Sequence, residues 1–137
     1  MTSVHHAAII NEQRKFPRFD IEIPASIRLK DRVYYQGKTN NISSNGAFIK
    51  YSADTKITGD THCILTLYVE GKAWIDEIKI KCVSKPARDG GIGLEFKTMS
   101  ADDFVNFVFL LTSEAPDADD LFAELRDNPG VELVNEI

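Results

Sequence analysis

The chain is poor in the residues that staple small folds or perform most catalysis. Of 137 residues only two are cysteine, Cys63 and Cys82. Their spacing matches neither a disulfide-rich scaffold nor the short paired spacings of zinc sites, so both read as buried free thiols. Histidine is nearly as scarce: His5 and His6 stand in an N-terminal stretch without sustained period, and His62 opens a strand-like segment. No third ligand accompanies them, and no metal is expected. GxSxG, HExxH and a glycine-rich phosphate loop leading into a helix are all missing, and Ser43 has no evident base near it. These absences argue against an enzyme. No apolar run approaches the roughly 18 residues of a membrane span, and Met1 to Asn11 lacks a basic region leading into a long apolar stretch. The reading is a soluble, cytoplasmic protein without membrane insertion.

Positive charge is almost absent from the C-terminal end. Thr98 to Ile137 holds one basic residue, Arg126, against 10 acidic ones, a net −9, whereas Met1 to Lys97 holds 15 against 11, a net +4. The body should attract anions, and the acidic end argues against wrapping nucleic acid. A small barrel binding single strands would keep exposed aromatics among cations, and Phe16, Phe19, Tyr34, Tyr35 and Tyr51 allow this, but the net charge of −5 opposes it.

What is present suits one domain. With 43% hydrophobic residues, a chain this long can hide roughly two-thirds of its unfolded surface in a single core. From Phe19 to Lys30 every odd position is apolar and every even one polar or proline, the pattern of a half-buried strand, with Pro24 indicating an edge or a bulge. Strands are also expected from Val33 to about Asn40, from Ala47 to Tyr51, and around Cys63 to Val69, the last apolar on both faces and therefore central. A turn at Glu70-Gly71-Lys72 leads to a strand with Trp74, Ile78, Ile80 and Cys82 on one face, and a loop from Lys85 to Gly91 leads to Ile92, Leu94 and Phe96. Six short antiparallel strands favour a six-stranded β-barrel, because closure removes exposed edges.

The period then changes to helical. Ser100 with Asp102 and Asp103 is a helix start, and residues 101–112 are apolar around most of their circumference, so this helix should be covered on more than one side. It is expected to seal one mouth of the barrel, with a dimer contact as the second reading, hence a monomer or weak dimer. A second helix is expected from Asp117 to just before Asn128-Pro129-Gly130. The divisions are therefore a flexible arm over 1–13, a domain over 14–112, and an acidic, helical extension over 113–137.

Two short motifs carry binding chemistry. Arg14-Lys15-Phe16-Pro17-Arg18 places two guanidinium forks four residues apart before the first strand, each able to grip a phosphate or a guanine edge or to stack on a purine. Asn41-Ile42-Ser43-Ser44-Asn45-Gly46 is a turn cluster offering the Asn41 amide, the Ser43 hydroxyl, and at Gly46 a place where backbone can approach a ligand or take positive φ. Each alone is also an ordinary basic linker or an ordinary turn.

In this order, within this strand pattern, the motifs resemble the PilZ domain, the bacterial receptor module for cyclic di-GMP. Arg14 and Arg18 match its RxxxR; Asn41, Ser43 and Gly46 match its [D/N]xSxxG; Gly91 to Phe96 is similar to its closing strand. The likeness covers about residues 12–112 and implies a PilZ-like six-stranded barrel with C-terminal helix. It further implies that cyclic di-GMP is the ligand, no other cofactor being called for, held by Arg14, Arg18, Asn41, Ser43 and Gly46 with Lys15 as an added phosphate contact. Asn41 stands where many relatives carry Asp, which implies weaker acceptance of the guanine N–H pair. Gln13 precedes the arginines where some relatives have Arg, leaving one ligand or an intercalated pair open. The resemblance implies a receptor whose arm orders over the ligand and presents a new surface to an unidentified protein partner, in motility, exopolysaccharide or virulence output. The alternative is a PilZ-like adaptor that binds no nucleotide.

Overall fold

A computed structural model of the chain describes residues 19–30, 32–52, 57–70, 75–114 and 131–135. The elements are β1 (Pro24–Leu29), β2 (Tyr34–Ile42), β3 (Gly46–Tyr51), β4 (His62–Glu70), β5 (Ile75–Ser84), β6 (Gly91–Ser100), α1 (Ala101–Glu114) and β7 (Glu132–Val134). Neighbouring strands run in the order β3-β2-β1-β4-β5-β6, and β6 pairs back onto β3. Six antiparallel strands thus close on themselves, which removes the sheet edges as expected from the sequence.

Alternation places the core. Ile21, Ile23, Ala25 and Ile27 turn inward with Leu65 and Leu67 of β4, Ile78, Ile80 and Cys82 of β5, and Ile92, Leu94 and Phe96 of β6, all buried. Regular β1 pairing begins only at Pro24, and residues 19–23 keep the inward alternation outside it. Pro24 does not mark an edge strand: β1 pairs with β2 on one side and β4 on the other. Proline is tolerated because it is the first residue of the strand.

Two bulges extend strands beyond where alternation alone ends them. In β2, Thr39 opposes Ile49 while Asn41 opposes Phe48, so Asn40 is extra and the inward position moves from Thr39 to Ile42. In β6, Lys81 opposes Thr98 while Cys82 opposes Phe96, making Lys97 extra. Phe96 and Met99 both face inward as a result, and the strand runs on to Ser100.

The stretch Lys85 to Gly91 ends in a tight hairpin turn. Arg88 and Gly91 exchange both backbone hydrogen bonds at 2.9 Å, and Asp89 and Gly90 take φ of 52° and 75°. Positive φ at both central residues is a type I′ turn, whose twist suits the flanking strands.

Antiparallel succession sorts the connections between two mouths. The β1–β2, β3–β4 and β5–β6 connections lie at one mouth. At the other lie the β2–β3 and β4–β5 connections and the start of α1. The Ser100 hydroxyl caps α1 by accepting from the Asp103 amide at 3.0 Å, and the Asp103 carboxylate accepts from the Lys79 amide at 3.1 Å. Phe107, Val108 and Leu111 are buried, with Phe107 edge-on to Phe96 at 5.8 Å. Cover on a second side is not found among the described residues, where Val105 and Phe109 are exposed.

β7 adds a short parallel strand beside Thr98–Ser100 of β6, within the acidic extension. The expected second helix, the Glu70-Gly71-Lys72 turn beyond Glu70, and Trp74 lie outside the described residues. Among the described residues no helix is long and apolar enough to cross a membrane.

Candidate functional site

The β2–β3 connection is built around a buried serine. Asn41 and Ile42 belong to β2 rather than to the turn, because the Asn40 bulge lets pairing with β3 continue to Ile42 and Ala47. The connection itself is only Ser43, Ser44 and Asn45. The Ser43 amide donates to the Gly46 carbonyl at 2.8 Å, and its hydroxyl donates to Asn45 Oδ1 at 2.9 Å while accepting from the Asn45 amide at 3.3 Å. Ser43 is fully buried. Its hydroxyl therefore shapes the turn from within, and the outward polar group it orients is the Asn45 side chain.

β6 braces this turn: the Asn45 carbonyl accepts from the Phe96 amide at 2.8 Å, and Gly46 faces Glu95 in register. Gly46 is buried and does not take positive φ, which among the described glycines occurs only at Gly90.

The chain enters the barrel against the same turn. Phe19 and Ile42 exchange backbone hydrogen bonds at 2.8 and 2.9 Å. The next residues are held by Thr39, wholly buried, whose hydroxyl donates to the Ile21 carbonyl and accepts from the Ile23 amide at 2.8 Å. The Thr39 amide donates to the Ile23 carbonyl at 2.9 Å. At the bulge, one side-chain hydroxyl thus replaces the missing ladder bonds and fixes where residues 19–23 lie relative to Asn41.

Along β3 and β6 the outer barrel face is cationic. Asn41 faces Phe48 across the β2–β3 ladder, and Phe48 lies under Arg88, 4.9 Å from its ring centre, and Lys50, 5.7 Å from it. Gly91 makes room for this ring: a Cβ there would lie 2.8 Å from Phe48 and collide with the Ile49 carbonyl. Lys97 and Lys85 flank Glu95 at 3.1 and 3.7 Å, and the Lys97 hydrogen bond holds its carboxyl below the usual range against the opposing effect of burial, with the charge of Lys85 as a lesser aid.

Of the residues singled out in the sequence, the structure brings Asn41, Ser43 and Gly46 together within one strand end and turn. Arg14, Lys15 and Arg18 lie outside the described residues. Sequence reasoning missed Thr39, Asn45 and Phe48. The bulge that makes Thr39 structural leaves no periodic trace, whereas Asn45, inside the motif, was legible as a turn former.

The PilZ domain family model matches residues 12–110. Among solved structures, the Bacillus subtilis Inhibitor of motility (MotI/DgrA) is similar at 14% identity and a TM-score of 0.56, over 84% of this chain and 50% of that one. The chain thus spans half that protein's length. The PilZ domain of CeSA from a cellulose synthesizing bacterium is similar at 22% identity and a TM-score of 0.57, over 69% of this chain and 96% of that domain. At these identities the structural likeness speaks to the fold. Comparison with curated proteins gives no match.

Proposed function

The chain belongs to the PilZ domain family, and on that premise we propose that it is a cyclic di-GMP receptor that changes its surface on binding and so regulates a partner protein. PilZ domains are receptor and adaptor domains, generally for this messenger, and not typically enzymes. The observation that carries the reading is the pairing of Phe19 with Ile42. Arg18 is the residue before Phe19 in the chain and Arg14 lies four positions further back. A segment this short, leaving a backbone anchored at the turn, has both guanidinium groups within reach of a ligand resting on Asn41 and Asn45.

The chemistry of each residue follows from its setting. Arg14 and Arg18 grip guanine and phosphate as planar forks, with Lys15 as a phosphate contact. Asn41 meets a guanine edge with its amide, Ser43 acts as a positioning residue by fixing Asn45, and Gly46 lets the backbone approach the ligand where β3 begins. The cations Lys50 and Arg88 add a favourable field for a ligand with two phosphodiester charges. Ordering of the arm over the barrel is the signal, and neither catalysis nor a resident cofactor enters it. The receptor is cytoplasmic, with a division at about 112 between the messenger domain and its acidic extension.

Backbone amide spectra of the 15N-labelled protein test this directly. Added cyclic di-GMP should shift Phe19 and Asn41 through Gly46 and leave the β1–β2 turn unmoved, and Arg14→Ala with Arg18→Ala should abolish the shifts. Absence of any shift at millimolar ligand would instead mark an adaptor that binds no nucleotide.

A further inference from the structure

At the mouth opposite the Asn41–Gly46 turn, β1, β4 and β5 form an open groove of about 470 Å³. It is lined by the apolar Leu29, Cys63, Ile64 and Cys82 and by the cations Arg28, Lys30, Arg32 and Lys81. All four cations are exposed, and none forms an ion pair among the described residues. His62 adds a further donor at the lip. Asp31, the acid nearest in sequence, lies outside the described residues.

The arrangement has a defined register. Arg28 opposes Ile64, and Ile64 opposes Lys81, so one cross-strand row reads cation, apolar, cation. At the usual strand spacing the outer two backbones are about 10 Å apart. Arg32 rises beside this row from a backbone of φ 69°, a conformation uncommon for a residue with a side chain.

We propose that this groove docks an acidic, extended protein segment in which an apolar residue lies between carboxylates. The apolar residue would rest on Ile64 while carboxylates on either side meet Arg28 and Lys81. Four cations without acidic partners among the described residues, around an apolar floor, ask for that alternation of charge and hydrophobicity. Because the barrel is closed, no free strand edge is open to such a segment here, and side chains must hold it. A concave, apolar-floored groove suits a chain better than a flat membrane or a phosphate ribbon. Because the groove stands at the far mouth from the proposed ligand turn, this docking does not depend on cyclic di-GMP binding.

The experiment is a titration of the 15N-labelled full chain with the synthetic peptide acetyl-Glu-Asp-Leu-Asp-Glu-amide at low salt. Amides of Arg28, His62, Ile64 and Lys81 should shift with a Kd on the order of 100 µM or tighter. Binding should weaken at least about fivefold in 0.3 M salt, and similarly in the Arg28→Glu, Lys81→Glu variant, whose dispersed spectrum would show that it folds. Ile64→Ala, which changes no charge, should weaken it too. Shifts located elsewhere, no shift at millimolar peptide, or unchanged binding by the charge-reversed variant would overturn the proposal. Tighter engagement of the same residues by a thymidine oligonucleotide or by anionic vesicles would also overturn it.

Discussion

Replacing Thr39 by valine removes one hydroxyl and almost no volume. Thr39 is fully buried, and its hydroxyl is bonded to both the Ile21 carbonyl and the Ile23 amide. Valine keeps the branched shape but strands two buried backbone groups. Each such group costs about 1–3 kcal/mol when left without a partner, and local adjustment should recover part of this, leaving about 2–4 kcal/mol in total. Native stability for a domain is about 5–15 kcal/mol, so the change is large but survivable. With unfolding entropy near 2.1 cal/mol/K per residue, 137 residues translate this into a fall in Tm of about 7–14 °C. Thr39→Ser retains the hydroxyl and loses one methyl, a cost of about 1 kcal/mol. Urea unfolding and calorimetry of the three proteins give the comparison. A valine variant within about 0.5 kcal/mol of wild type, or one no worse than serine, would refute the role assigned to this hydroxyl at the bulge.

Gly91→Ala should lower stability by about 1–3 kcal/mol, since a Cβ there meets the Phe48 ring at 2.8 Å and the Ile49 carbonyl, and denaturant midpoints will show whether the β3–β6 closure tolerates it. Burial pushes the Cys63 thiol up to about 11 and raises Cys82 as well. At pH 8 roughly one Cys63 thiol in a thousand is then ionised, and Ellman's reagent should report both cysteines only after unfolding; fast reaction of either in the native protein contradicts the packing. The depressed Glu95 carboxyl contributes stability above its ordinary value of 4.5 that is lost as pH falls through the lower folded value. Because Glu95 is more than a third exposed, Glu95→Gln should cost under about 1 kcal/mol at pH 7 and less at pH 2, as read by urea midpoints at the two pH values.

Much of the barrel was legible because inward positions follow a period of two: Ile21 to Ile27, Leu65 and Leu67, Ile78 to Cys82, and Ile92 to Phe96 all face the core as the pattern predicts. It failed where one residue is inserted. Lys97 and Asn40 shift parity, so Met99 and Ile42 belong to strands that alternation alone ends earlier. The Asp89-Gly90 turn carried a strong hairpin signal within a segment read only as a loop. β7 has three residues, too few for any period, and exists through its pairing with β6. Within the candidate site, residue types in Asn41-x-Ser43-x-x-Gly46 marked the place, but only packing shows that Ser43 faces inward and that Thr39 anchors the incoming chain.

Calorimetric titration of the purified protein with cyclic di-GMP tests the central claim most directly, with GTP as the control ligand and the Arg14→Ala, Arg18→Ala protein beside it. Binding at micromolar or tighter affinity, lost in the double variant and absent with GTP, is the predicted result. No heat at saturating messenger concentrations, or heat unchanged by removing both arginines, would contradict it.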